Sequence, residues 1–206
     1  MRDGLNKHRT RSFLPHSRSS RPTSRLAKEH GKLQLPMRDD KPLRTWERRT
    51  ESPEQTQSLA ERLGRLLQPG DVIALVGELG SGKTLFSQGL ARGLEVPESF
   101  YITSPTFAII NEYPGRIAFY HLDLYRVDSA AEFSELGLEE ILYGQGAVAI
   151  EWAERLGENL PGERLEVHLA FSDETSRSFI FHAFGANAKQ RLATLGVSYE
   201  SADEKS

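Results

Sequence analysis

The chain has 206 residues, 38% of them apolar, which suits one domain with a buried core and is too short for two ordinary domains. It contains no cysteine, so disulfides, thiolate zinc sites and thiol nucleophiles are excluded. The net charge of −3 hides a division, because residues 1–50 carry 14 Lys and Arg against 5 Asp and Glu, whereas the remainder is acidic. An acidic body argues against broad contact with a nucleic-acid backbone, which needs clustered cations.

Residues 1–50 are rich in Arg and Ser and show no sustained apolar period. Such a segment cannot bury enough apolar surface to offset the entropy lost on ordering, so we predict a disordered basic extension. Three explanations stay open: a non-functional extension before a later start at Met37, an arm that touches RNA, and an organelle transit peptide. No apolar run reaches the roughly 18 residues that a membrane span needs, and we expect a cytoplasmic protein without membrane contact.

The ordered domain is predicted over residues 51–190 and begins with a helix. Ser52 and Pro53 supply an N-cap and a first helical residue, and leucines then recur at helical spacing, at Leu59, Leu63, Leu66 and Leu67. The continuous apolar run 72–76 is typical of a strand buried on both faces of a parallel sheet. A glycine-rich loop and a second helix, over about 82–94, follow it.

The remaining elements complete an α/β domain. In chain order we predict a hairpin, a short helix, a buried strand and a second hairpin, at residues 107–123, 130–142, 147–150 and 164–184. Residues 191–206 are predicted to form a frayed C-terminal tail. The order predicts a single P-loop NTPase-like domain with a mixed, largely parallel sheet flanked by helices.

The segment Gly77–Thr84 matches the phosphate-loop pattern G-x-x-x-x-G-K-[ST]. It follows a predicted strand and opens a predicted helix, so loop amides and the helix N-terminus can surround an anion. We predict that phosphates are bound by Gly77, Gly80, Ser81, Gly82, Lys83, Thr84 and Leu85. Thr84 is the expected Mg²⁺ ligand, since Mg²⁺ prefers hard oxygen atoms. The sequence has no Asn-Lys-x-Asp guanine-binding motif, which favours ATP over GTP.

A second acid near Mg²⁺ is expected at the carboxyl end of a neighbouring strand. Asp123 and Glu151 both end apolar runs, and spacing does not decide between them. Thr106 lies where GTPases carry a switch segment and could sense the terminal phosphate; a Ser-Pro turn that opens a strand is the equal alternative. On spacing alone, His121 and Arg126 are interpreted as structural.

Five segments together resemble one family. The segments are Gly77–Thr84, Ser104–Phe107, His121–Arg126, Glu135–Leu138 and Glu151–Trp152. In their order and spacing they are similar to those of the bacterial TsaE (YjeE) family, the ATPases of tRNA threonylcarbamoyladenosine biosynthesis. The resemblance covers about residues 52–172. One departure is Glu78 and Ser81 in the loop, where the family often has Asp and Ala.

The resemblance implies an ATPase that is weak alone, monomeric alone, and stimulated by a TsaD–TsaB pair that modifies adenosine 37 of tRNA. Contact with tRNA is then indirect, through that pair. By resemblance, Lys83 and Thr84 hold phosphate and Mg²⁺, Glu151 binds Mg²⁺ or its water, and Asp123 is a second acid. The segment from Ser104 to Thr106 is switch-like, and Thr56 or a neighbour lines the adenine side.

Two other classes of protein also carry a phosphate loop and are alternatives to a partner-stimulated ATPase. An independent small-molecule kinase needs an acceptor pocket and an arginine-rich lid, and the arginines between Lys83 and Ser172 form no such cluster in the sequence. A non-hydrolysing module would use ATP only to set a conformation. Hydrolysis measured with and without partners separates these readings.

Overall fold

The computed structural model describes residues 40–127, 132–133 and 136–203. Its helices are α1 (Pro53–Leu66), α2 (Lys83–Gly93), α3 (Leu138–Leu142) and α4 (Ala186–Asp203), with a 3₁₀ segment at Ala153–Asn159. Its strands are β1 (Arg44–Thr50), β2 (Val72–Val76), β3 (Ile110–Tyr113), β4 (Phe119–Asp123), β5 (Ala147–Glu151), β6 (Arg164–Phe171) and β7 (Arg177–Phe184). No helix among these residues is both long and apolar enough to span a membrane.

The seven strands form one sheet in the order β1-β7-β6-β2-β5-β4-β3. The four central strands β6, β2, β5 and β4 are parallel, whereas β3 and β7 pair antiparallel to their neighbours. The predicted mixed, largely parallel sheet is confirmed. Because β2 lies between β5 and β6, the loop that follows β2 emerges at the edge where all four parallel strands end.

Among the strands that the sequence predicts, the first hairpin differs most from the structure in its bounds. Its strands are shorter than the apolar runs, since β3 begins only at Ile110 and β4 only at Phe119. In the predicted helix over 130–142, α3 covers the last five residues, and part of the remainder lies outside the described residues. The second hairpin has the predicted bounds.

The prediction of disorder through residue 50 is wrong for residues 44–50. They form β1, which pairs antiparallel with β7 at the sheet edge. The Trp46 ring packs on Phe181 with 5.2 Å between centroids, and Thr50 is buried. The strand was missed because charged residues fill its exposed face, and its stability comes from pairing with residues more than a hundred positions away. Residues 1–39 lie outside the described residues.

The predicted frayed tail over 191–206 is also wrong, because α4 continues to Asp203 and contributes Leu192 and Leu195 to the core. Tyr199 lies between two guanidinium groups, those of Arg48 and Arg62, each 4.6 Å from the ring centroid. These tertiary contacts hold a helix whose own apolar pattern is weak. The ordered domain therefore extends beyond residue 190.

Two cores cover the two faces of the sheet. Side chains of α1, α2 and α4 form one core with β2, β6 and β7, including the buried Leu59, Phe86 and Phe181. The other core lies between β2, β4 and β5 and the residues of α3 and the 3₁₀ segment. Helix α2 is thereby fixed behind the loop that precedes it.

Helices α1 and α2 approach closely because glycines form their contact. A Cβ on Gly93 would lie 2.2 Å from the Glu61 carbonyl oxygen, and one on Gly89 would lie 2.5 Å from the Gln57 carbonyl oxygen. Both neighbours are backbone atoms, which cannot move aside without shifting a helix.

We expect Gly93→Ala to lower the free energy of unfolding by about 1–3 kcal/mol, because overpacking outweighs the roughly 1 kcal/mol that Ala gains over Gly in a helix. Urea unfolding measures the change. Gly162→Ala is the control, since its Cβ would meet no atom within 4 Å, and its effect should stay within about 0.5 kcal/mol. Equal stability of the two variants would contradict the close packing.

Candidate nucleotide-binding site

A cleft of about 420 Å³ opens at the carboxyl ends of β2, β4 and β5. It is lined by Leu79, Gly80, Gly82, Lys83, Thr84, Ser104, Thr106, Asp123, Tyr125, Glu151 and Trp152. The structure thus brings the phosphate loop, both candidate acids and the switch-like segment to one place. This convergence depends on parallel neighbours, because Asp123 and Glu151 are opposite each other in the β4–β5 register.

The loop backbone turns through conformations that favour glycine. Gly80 has φ 80° and Gly82, which caps α2, has φ 106°. The first intrahelical bond of α2 is donated by the Phe86 amide to the Gly82 carbonyl, at 2.9 Å. The amides of the residues that precede Phe86 in the helix, including Leu85, have no intrahelical acceptor and form an anion-binding end.

Lys83 is buried against the loop, with 4% of its surface exposed. Its Nζ donates to the carbonyl oxygens of Gly77, at 2.7 Å, and Glu78, at 2.9 Å, and lies 3.9 Å from the Trp152 ring centroid. Burial lowers the pKa of Lys83, and the nearby carboxylates, that of Glu151 first among them, oppose this shift. The ammonium is thus held at the loop by carbonyls and a π-face.

Thr84 and Glu151 are in direct contact. The Thr84 hydroxyl donates to Glu151 Oε2 at 3.1 Å, and the other carboxylate oxygen, Oε1, is 2.8 Å from His121 Nε2. Glu151 is buried at the end of β5, whereas Thr84 lies in the first turn of α2. A P-loop hydroxyl and a strand-end carboxylate therefore meet.

These oxygen donors fit Mg²⁺, which prefers hard oxygen and usually completes its shell with water and substrate phosphate oxygens. Among the described residues, no group of three or more His, Asp or Glu side chains forms a self-contained metal site.

Asp123 organises the switch-like segment. Its Oδ2 accepts hydrogen bonds from the hydroxyls of Ser104 and Thr106, the latter at 2.9 Å, and its Oδ1 accepts one from the Tyr125 amide at 2.9 Å. Ile109 follows this segment with φ 65°, a strained conformation for a β-branched residue. Both acids are therefore engaged at both oxygens, Asp123 by the switch-like segment and the Tyr125 amide, and Glu151 by Thr84 and His121.

Two predicted residues lie away from the cleft surface. Thr56 is fully buried, and its hydroxyl is 2.7 Å from that of Thr50, so the structure does not bring it to the cleft. Ser81 is also fully buried, and its Oγ has no hydrogen-bond partner among the described residues. Gly77 is the end of the loop on the β2 side, where a Cβ would lie 2.5 Å from the Leu169 carbonyl oxygen.

The sequence did not indicate that residues of the β6–β7 hairpin contact the phosphate loop. The Arg177 Nε donates to the Ser81 carbonyl at 3.1 Å, and its guanidinium lies 4.5 Å from the Phe171 ring centroid. Phe171 is exposed and lies 3.4 Å from where a Cβ on Gly80 would be. No local pattern could indicate these residues, because they reach the loop only through the pairing of β6 with β2.

Trp152 and Glu154 are two further residues near Lys83 whose place in the site their spacing did not indicate. Trp152 has φ 58°, and its ring packs on Tyr125 at a tilt of 48°, with 5.1 Å between ring centroids. Burial raises the pKa of Glu154, an effect that its own backbone amide and Lys83 oppose. One buried carboxyl oxygen of Glu154, Oε2, has no hydrogen-bond partner among the described residues.

Comparison with known proteins places these features in one family. Residues 50–179 match the family described as "Threonylcarbamoyl adenosine biosynthesis protein TsaE". This chain belongs to the TsaE family. The resemblance seen in the sequence is thereby confirmed.

Curated TsaE relatives, each named "tRNA threonylcarbamoyladenosine biosynthesis protein TsaE", are similar along most of their length. The Bacillus subtilis protein is 41% identical over 138 residues, which cover 66% of this chain and 85% of the relative. The Nostoc sp. protein is 43% identical over 145 residues, covering 68% and 88%. The crystal structure of Bacillus subtilis YdiB has a TM-score of 0.63 at 36% identity, covering 75% of this chain and 96% of that one. The TsaE fold is P-loop NTPase-like and implies nucleotide binding.

We expect Asp123→Ala to loosen the segment from Ser104 to Ile109, because three donors lose their acceptor. The free energy of unfolding should fall by about 1–3 kcal/mol, and amide hydrogen exchange at Ile109 should accelerate. The exposed Glu98 provides a control, since Glu98→Ala removes a carboxylate from a surface turn. Unchanged exchange at Ile109 in Asp123→Ala would contradict the role of Asp123 in holding this segment.

Proposed function

We propose that this chain is a Mg²⁺-dependent ATPase that acts in tRNA threonylcarbamoyladenosine biosynthesis. The observation that carries the proposal is the 3.1 Å hydrogen bond between the Thr84 hydroxyl and Glu151. It joins the phosphate loop to an acid on the adjacent parallel strand, the arrangement in which P-loop NTPases hold Mg²⁺. The names of the curated relatives support the pathway.

The chain's own groups suffice to bind and polarise a terminal phosphate. Loop amides and the Lys83 ammonium would stabilise the charge that develops on the transferring phosphoryl group, since Lys83 belongs to the lining of the cleft. Thr84 and Glu151 would hold Mg²⁺, which when bound neutralises phosphate charge. Asp123 would act through Ser104 and Thr106, whose hydroxyls donate to it, and would hold the switch-like segment at the cleft.

The partner is a TsaD–TsaB-like pair, by resemblance to the family, and the chain alone is a weakly active cytoplasmic monomer. The mouth of the cleft carries exposed apolar side chains, Leu79 and Tyr125 on its lining and Phe107 next to Thr106. Their position would let a docked partner sense the nucleotide and would bring tRNA close only indirectly.

The rival kinase reading requires arginines around the transferred phosphate. No arginine is found among the described residues that line the cleft. The cleft is therefore better suited to hydrolysis that a partner assists than to an independent transfer reaction. Acceptor-dependent ATP consumption by the chain alone would support the kinase instead.

We expect Lys83→Ala to weaken Mg-ATP binding at least tenfold, because a charged hydrogen bond contributes about 1.5–3 kcal/mol. Isothermal titration calorimetry measures the affinity. The control, Lys189→Ala, removes an exposed lysine on α4 and should leave the affinity unchanged. An affinity equal to that of the unmodified chain would rule out the loop as the phosphate site.

We expect Glu151→Gln to lower turnover by roughly 10–100-fold, with a smaller effect on ATP affinity, because the amide keeps the shape but not the charge needed at the metal. Single-turnover hydrolysis with the TsaD–TsaB pair separates the two effects. Glu158→Gln, an exposed neighbour on the 3₁₀ segment, is the control. Full turnover in Glu151→Gln would exclude the metal role of this carboxylate.

A further inference from the structure

His121 is a buried polar side chain to which the proposed function assigns no role. It lies on β4, is 0% exposed, and stacks on Phe119 with 6.2 Å between ring centroids and 13° between planes. Its Nε2 is 2.8 Å from Glu151 Oε1. Its Nδ1 is buried and has no hydrogen-bond partner among the described residues.

This pattern assigns the ring proton. A buried N–H without an acceptor is a costly orphan donor, whereas a nitrogen lone pair can remain unpaired more cheaply. The proton of His121 therefore belongs on Nε2, where it is donated to Glu151, and Nδ1 is bare. This assignment follows from the hydrogen-bond pattern and not from an observed hydrogen.

The same bond means that both oxygens of the Glu151 carboxylate are hydrogen-bonded within the protein. Oε1 receives the His121 donor from β4, and Oε2 receives the Thr84 hydroxyl from α2. A carboxylate bonded at both oxygens from two different elements cannot rotate about its terminal torsion without losing one bond. Oε2 is thereby kept facing the phosphate loop.

We propose that His121 is a positioning residue, which fixes the Glu151 carboxylate through its Nε2–H so that Oε2 faces Thr84 and the metal. The inference rests on the proposed function and deepens it. A histidine that served only to fill the core could be replaced by an apolar ring at no loss of hydrogen bonding. Among the described residues, its side chain forms one hydrogen bond, to the candidate metal ligand. Donors to metal-bound carboxylates tune both affinity and rate.

Two amide variants test which nitrogen matters. In His121→Gln the side-chain nitrogen occupies the place of Nε2, whereas in His121→Asn it occupies the place of Nδ1. Both lose the ring and its stacking, so a purely structural role predicts that they behave alike. The measured quantity is the ratio of the ATP dissociation constants with Mg²⁺ and with a chelator, obtained by calorimetry.

We expect His121→Gln to keep the wild-type ratio within about threefold and His121→Asn to lose roughly 10–100-fold. Affinity for ATP with the chelator should be the same in both variants. Turnover with the TsaD–TsaB pair should follow the same order. Equal ratios in the two variants would overturn the proposal.

A spectrum of the unmodified chain keeps the proposal testable even where both variants fail to fold. In a long-range ¹⁵N–¹H correlation spectrum of histidine-labelled protein, His121 should show a protonated Nε2 and a bare Nδ1. An Nδ1–H tautomer would overturn the role of His121 while leaving the ATPase proposal intact. If the ATP affinity of the wild-type chain did not depend on Mg²⁺, the ATPase proposal and the role of His121 would both be overturned.

Discussion

The parallel pairing of β2 with β5 is the constraint on which the site depends. It places Leu75 opposite Glu151, so the strand that leads into the phosphate loop and the strand that ends in the acid finish at one edge. The Thr84–Glu151 hydrogen bond then spans the short gap between α2 and β5. A shift of the register by one residue would turn Glu151 to the other face of the sheet and separate the acid from the loop.

Around this pairing, the chain accepts backbone strain where it forms the walls of the cleft. Trp152 and Ile109 both have positive φ, although neither is glycine. Such conformations cost about 1–3 kcal/mol each and persist only when the surroundings fix them. Here the Trp152 ring covers Lys83, and the Ile109 carbonyl accepts the Asp123 amide at 3.0 Å. Two of the three non-glycine residues with positive φ among the described residues thus lie on the segments that hold the lysine and the switch-like residues, and the third is Glu95.

Local patterns predicted the parts of the site that are local in the chain. The loop Gly77–Thr84, its flanking strand and helix, and the acids at two strand ends all followed from short-range spacing. What spacing could not show was pairing between distant segments. For that reason spacing does not reveal β1, the contact of Arg177 with the loop, or the contact of His121 with Glu151. Thr56, expected near adenine, is instead enclosed by the bond to Thr50 that docking of β1 creates.

The charges of the cleft explain why nucleotide and metal should bind together. The carboxylates of Glu151, Glu154 and Asp123 all act on Lys83. Three acidic side chains thus lie around one ammonium, and burial raises the pKa of one of them, Glu154. A triphosphate would bring several further negative charges to this low-dielectric place, where like charges repel more strongly than in water. A divalent cation held by Thr84 and Glu151 would offset that repulsion, so metal and nucleotide should each raise the affinity for the other by the same factor.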